Sequence, residues 1–258
     1  MEIWSEEAGD GPPVLLVHAG ICDSRMWDPQ WETFPAAHRT IRCDLRGYGR
    51  TPLPPEPFCH GADLVELIEG LGGGPVALVG ASFGALMCLD VAVARPELVS
   101  RLVLTGSPLA GHEWSAPIQE YFAAEEDALE DEDLDLAVEL NLRTWVDGPG
   151  REPEGVPAEL RRRVGEMQRL AFEHQLPVWE LAEEELLTED LAERWSEVAA
   201  PTLVLHGDGD VADIGLIADR LASGIEGARG ETIAGAAHLP SLERPAEFDR
   251  LVLSFLAG

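Results

Sequence analysis

The 258-residue chain contains no lysine: all 18 of its cationic side chains are arginine, set against 48 carboxylates, for a formal net charge of −30. A field of that sign repels phosphate backbones and anionic lipid surfaces, so no nucleic-acid or membrane partner is expected. Cysteine is scarce: Cys22, Cys43, Cys59 and Cys88 form no Cys-x-x-Cys pair and stand at no zinc-ligand spacing with a histidine. Reduced thiols are expected, and neither a disulfide framework nor a zinc site. No run of roughly 18 apolar residues occurs, which excludes a membrane-spanning helix. The N-terminus, Met1-Glu-Ile-Trp-Ser-Glu-Glu, lacks the basic start and apolar run of a signal peptide, so a cytoplasmic location is expected. No histidine pair has metal-ligand spacing, and the acidic runs are not calcium loops, so no metal is expected. Gly72-Gly-Gly74 precedes a strand-like run instead of opening a helix, which argues against a phosphate cradle. No repeat with a period of about 20–50 residues is present.

What remains is an alternation. Short apolar runs at 13–17 (PVLLV), 40–44 (TIRCD), 76–79 (VALV), 102–105 (LVLT) and 202–206 (TLVLH) read as strands bounded by Gly, Pro or polar residues. Being apolar nearly throughout, they suit strands covered on both faces. Helical patterns fall at 62–71, 83–94, 214–223 and 245–256, with Pro245 suited to a first helical turn. This order predicts an α/β fold, a mostly parallel sheet between helix layers. From 109 to 198 strand-like runs stop, and helical patterns appear at 115–128, 134–146, 157–174 and 178–195. A helical cap over 109–198 is therefore expected, inserted in a core of 1–108 and 199–258. The Gly- and Pro-rich stretch 146–157 is a loop within it.

Four segments carry candidate chemistry. Val79-Gly80-Ala81-Ser82-Phe83-Gly84 lies at a strand-to-helix junction, the context that a G-x-S-x-G nucleophile elbow requires. Small residues two before and two after the serine let strand and helix pack closely, while the helix beginning at Phe83 points N–H groups at the reacting carbonyl. His18-Ala19-Gly20 follows the first apolar strand, and Gly20 would let its backbone approach a substrate. His206-Gly-Asp208-Gly-Asp210 offers two carboxylates at the end of a strand, where α/β sites gather. Ala234-Gly-Ala-Ala-His238-Leu-Pro precedes the last helix. The order serine, acid, histidine differs from the trypsin and subtilisin orders.

Together with Met26-Trp-Asp-Pro-Gln30, Asp44-Leu-Arg-Gly-Tyr-Gly-Arg-Thr51 and Gly235-Ala-Ala-His-Leu-Pro-Ser-Leu-Glu-Arg-Pro245, these segments make the chain resemble the α/β-hydrolase superfamily over nearly its whole length. It is most similar to the small capped esterases and the 3-oxoadipate enol-lactonase-like group. The resemblance implies a triad of Ser82, His238 and Asp210, with Asp210 and not Asp208 as the acid. It puts the oxyanion donors on the backbone N–H groups of Gly20 and Phe83. It implies hydrolysis of a small-molecule ester or lactone through an acyl-enzyme, without a cofactor, by a monomer or homodimer. Carbon–carbon bond hydrolysis, cofactor-free perhydrolysis and a ligand receptor with slow turnover are the alternatives on the same triad. The pattern departs from the family at Ala19, at Thr51 where serine is usual, and at Phe83 where the lactonase group often has methionine.

Other residues are read more plainly. His18 and His206 are expected to pack structurally, and His60 to start a helix. The acidic run Glu125 to Asp135 reads as a solvated face of the cap. Arg161, Arg162 and Arg163 are expected to pair with nearby acids, with one of them as a minor candidate for a substrate carboxylate. Cys22 lies near the candidate site in sequence.

Overall fold

A computed structural model describes residues 2–72 and 74–258; Met1 and Gly73, and with them the middle of the Gly72–Gly74 loop, lie outside the described residues. Its seven strands are β1 (Ser5–Ala8), β2 (Pro13–Val17), β3 (Arg39–Cys43), β4 (Val76–Ala81), β5 (Val99–Thr105), β6 (Thr202–Gly207) and β7 (Arg229–Ile233). They form one sheet in the order β1-β3-β2-β4-β5-β6-β7. Only β1 runs antiparallel to its neighbour. The central strands are buried on both faces, and every residue of β4 is inaccessible. That explains their unbroken apolar sequence.

The helices beside the sheet are α1 (Asp28–Thr33), α2 (His60–Gly70), α3 (Phe83–Ala94), α8 (Ala212–Gly224), α9 (Pro240–Glu243) and α10 (Pro245–Ala257). The segment joining β5 to β6 adds no strand to the sheet. It carries α4 (Ala116–Glu130), α5 (Leu134–Asn141), α6 (Ala158–Gln175) and the single turn α7 (Leu191–Arg194). After α5 the chain continues as a π-helical turn, Leu142–Asp147. α3 is buried nearly all round and follows β4 directly, so it is the central helix that the elbow must feed. No helix among the described residues is long and apolar enough to cross a membrane.

Three features depart from expectation. β1 and β7 were not anticipated. Both are sheet edges with polar, largely accessible sequences (SEEA and RGETI), and edges lack the apolar signal of covered strands. The stretch 178–195 is not one helix. Phe58 donates to Glu183 O and accepts from Glu185 N–H, and the Asp90 carboxylate takes the N–H groups of Leu187 and Thr188. Those partners outcompete an intrahelical ladder in a run of adjacent glutamates. Finally, His206 is only half-buried and contacts Thr232, so it is not a core residue.

Candidate active site

The turn between β4 and α3 holds Ser82 at φ 50° and ψ −121°. A non-glycine residue at positive φ costs on the order of 1–3 kcal/mol and persists only where its surroundings enforce it. Here they do. The Ser82 N–H donates to Thr105 O at 2.7 Å, tying the elbow to β5. A Cβ on Gly80 would stand 2.5 Å from Ala85 Cα, and one on Gly84 would stand 2.6 Å from Val17 O and collide with His18 O. The two glycines of G-x-S-x-G are therefore required by close approach. The turn leaves Ser82 half-exposed at the C-terminal end of the sheet.

His238 comes from the loop between β7 and α9. Its Nε2 is 2.7 Å from Ser82 Oγ, and its Nδ1 is 2.7 Å from Asp210 Oδ2. A carboxylate at Nδ1 selects the tautomer in which Nδ1–H donates to it, leaving Nε2 to accept the Ser82 hydroxyl proton. The second Asp210 oxygen accepts the Val211 N–H at 2.8 Å, so the acid is held at both oxygens. The histidine loop is pinned too. Ala236 O accepts from Gly209 N–H at 2.8 Å, and Ala237 N–H donates to Glu243 at 2.9 Å. Asp208 takes another path: it accepts the Gly235 N–H at 2.7 Å and does not reach His238. Gly20 and Phe83 face the same cleft as Ser82, and a Cβ on Gly20 would lie 3.2 Å from Phe83 Cβ. Among the described residues neither of their backbone N–H groups has an acceptor in the protein.

The neighbouring histidines are structural. His18 Nδ1–H donates to Ala19 O at 2.9 Å, and its Nε2 accepts from Leu45 N–H at 3.0 Å. Burial lowers its pKa, which suits that neutral form. His60 is buried edge-on to Phe83 at 5.3 Å, and burial pushes its pKa down to about 3, so it backs the elbow as a neutral ring. Cys22 is fully buried, and burial drives its thiol pKa well up, which closes it to reaction.

Above Ser82 lies a cleft of about 320 Å³ between the C-terminal edge of the sheet and the α4–α6 segment. Its walls are rich in aromatic side chains, among them Trp114, Phe122, Trp145 and Phe172. Trp145, on the π-helical turn, tilts over the His238 ring at 4.5 Å. The sequence reading missed this residue, since a lone tryptophan on a helical pattern reads as core. It also misplaced Glu125. That residue belongs to the buried face of α4, four residues after Tyr121, and lines the cleft instead of facing solvent. Its carboxylate takes bonds from Tyr121 Oη at 3.0 Å and from Asn141 Nδ2. Burial raises its pKa, a rise that the bonds from Asn141 and Tyr121 partly offset. The candidate arginines stay outside. Arg161 pairs with Asp147 and Glu139, Arg162 with Glu159 and Glu166, and Arg163 with Asp28. Among the described residues no arginine lines the cleft. Nor do any three His, Cys, Asp or Glu residues cluster so as to hold a metal.

The family model described as "Alpha/beta hydrolase family" matches residues 14–251. The chain is 27% identical to an (E)-2-((N-methylformamido)methylene)succinate hydrolase of Acinetobacter baylyi, covering 97% of this chain and 92% of that protein. It is 30% identical to a strigolactone esterase of Arabidopsis thaliana, over 93% of this chain and 90% of the relative. Among solved structures, the enol-lactonase from Burkholderia xenovorans superposes with a TM-score of 0.80 at 21% identity, covering 99% of this chain and 96% of that one.

Proposed function

The chain belongs to the alpha/beta hydrolase family, and from that premise we propose that it hydrolyses carboxylic esters or lactones through a serine-bound acyl intermediate. One observation carries the reading: two 2.7 Å contacts run from Asp210 through His238 to a serine held at positive φ. His238 Nε2 takes the Ser82 proton as Oγ attacks the carbonyl carbon. Asp210 holds the imidazole in the accepting tautomer and stabilises its cation. The N–H groups of Gly20 and Phe83 receive the oxyanion, each such donor being worth about 2.7–4 kcal/mol of transition-state stabilisation. His238 then returns the proton to the leaving alcohol, or to the opening lactone oxygen. Water, deprotonated by the same nitrogen, releases the acid. The α4–α6 segment acts as the cap, excluding solvent with its aromatic wall and setting specificity. A fluorophosphonate probe tests the chemistry directly: it should label the native protein at one site, and peptide mapping should find the adduct on Ser82. An adduct elsewhere, or none, overturns the reading.

Substrate charge follows from the same cleft. The Acinetobacter relative is named for a substituted succinate, but this cleft offers no arginine to an anion and presents a carboxyl group of its own. In a protein of net charge −30, neutral esters should show the higher kcat/KM than matched carboxylate-bearing esters at low salt. Raising the ionic strength should narrow the gap, because the Debye length falls from about 30 Å at 0.01 M to about 10 Å at 0.1 M. Initial rates on matched pairs across that range check it. Carboxylate-bearing esters winning at every salt concentration would defeat the argument.

A further inference from the structure

We infer that the cap side of the cleft is a recognition site for an uncharged hydrogen-bond donor, a hydroxyl or an amide N–H, on an otherwise apolar ester or lactone, with Glu125 and Gln168 as the specificity-determining residues. The inference rests on the esterase reading above and names the substrate class for it. The starting point is Glu125. Its Oε1 takes every bond it makes within the protein: from Tyr121 Oη, 3.0 Å away, and from Asn141 Nδ2. The Asn141 amide is itself engaged, since its other N–H goes to Ala137 O at 2.9 Å and its Oδ1, 2.8 Å from Tyr121 Oη, shares that hydroxyl's single proton with Glu125 Oε1. Two side chains, Tyr121 and Asn141, thus hold one carboxyl oxygen, and Oε2 is left without a protein partner among the described residues, on a residue that lines the cleft.

Gln168 supplies a second, independent observation. It is only 4% exposed, it lines the same cleft, and its Oε1 has no hydrogen-bond partner. An unpaired buried polar atom costs about 1–3 kcal/mol, so such groups are normally satisfied. Glu125 Oε2 is an unpartnered acceptor on a residue of the cleft wall, and Gln168 Oε1 is closed off behind that wall, so a ligand donor meets Oε2 directly and Oε1 only on a turn of the Gln168 amide. An amide N–H or hydroxyl does this at modest desolvation cost. A carboxylate supplies no donor and meets Glu125 as a like charge. An ammonium must be stripped of water among Trp114, Phe122 and Phe172, at a cost that a single partner repays poorly. The site is also within reach of the chemistry. Tyr121 stacks edge-on to Trp145 at 5.6 Å, and Trp145 lies on His238 at 4.5 Å.

The test uses aryl esters whose acyl chains end in methyl, hydroxyl, primary amide, carboxylate or ammonium, compared over a ladder of chain lengths. At one length the hydroxyl or amide ester should exceed the methyl ester by about tenfold in kcat/KM, the hydrogen bond being expressed mainly in KM. Glu125→Gln keeps an oxygen for Tyr121 and Asn141 but turns an N–H₂ into the cleft where Oε2 stands. The donor preference should collapse, and the carboxylate-ended ester should gain. A second variant is Gln168→Met, which removes the unpartnered Oε1; it should lower the amide-to-methyl ratio in the same direction. Thermal melts establish that both variants are folded. If wild-type protein labels at Ser82 but treats hydroxyl, amide and methyl ends alike at every length, this inference is overturned while the hydrolase reading survives. If the ammonium ester outruns both neutral donors, the substrate class is wrong. If wild-type protein takes no fluorophosphonate, it is the hydrolase reading that falls.

Discussion

Ser82→Ala should abolish fluorophosphonate labelling and lower kcat for activated esters by about 10⁶-fold, leaving only what binding and the oxyanion donors achieve with water. The size of the loss follows from the arrangement. The nucleophile, the base and the base's orienting acid act as one unit, so removing Oγ also strands a correctly held imidazole with nothing to activate. Folding should survive. The hydroxyl is hydrogen-bonded to His238 Nε2, and alanine keeps the Cβ and therefore the strained φ of 50°. The melting temperature should move by less than about 4 °C, the shift expected from roughly 1 kcal/mol in a domain of this size. Ser82→Gly, which accepts positive φ without a Cβ, should melt above Ser82→Ala. Residual turnover within about tenfold of wild type would refute the acyl-enzyme route, given the size of the effect expected for a triad serine.

The elbow was legible in the sequence because its constraint is steric and local. Gly80 and Gly84 are fixed by contacts with Ala85 and Val17, so the spacing around Ser82 leaves little freedom. The covered strands were legible for a similar reason: burial on both faces leaves nothing but apolar residues in β4. Glu125 was illegible where it stood, in a dense run of acids whose other members suit solvent. Yet its address was encoded by helical period. Ile118, Tyr121, Glu125 and Ala128 share one face of α4, and the other three are buried. A carboxylate in register with buried neighbours is a stronger signal than the charge run around it. Trp145 gave no such signal, because what brings it over His238 is a π-helical turn docked through Gly148 against the Gly209 backbone, a tertiary contact. The 178–195 stretch failed for the same reason. Its backbone is organised by Phe58 and by the Asp90 carboxylate, about 90 residues or more away in the chain.

Asp210→Asn should lower kcat by about 10⁴-fold, while Asp208→Asn should cost less than about tenfold, although the two residues share one short loop. Spacing alone could not rank them; hydrogen bonding does. Asp210 is nearly inaccessible, with one oxygen on Val211 N–H and the other on His238 Nδ1. The asparagine amide that replaces Oδ2 is a donor. It can bond only a lone pair on Nδ1, so the imidazole proton moves to Nε2. There it points at Ser82 Oγ and cannot accept the serine proton, and the imidazolium formed in the transition state loses its carboxylate. Packing is kept, so the loss should fall on kcat with little change in KM. Asp208 only receives the Gly235 N–H, three residues before His238. Its asparagine variant keeps a carbonyl oxygen for that donor, and the loop that carries the histidine stays tied down. Steady-state kinetics on one activated ester, measured for both variants and wild type, decide the matter. An Asp208→Asn loss equal to or larger than that of Asp210→Asn would mean that the working acid is the other carboxylate and that the 2.7 Å contact to His238 does not persist in the functioning enzyme.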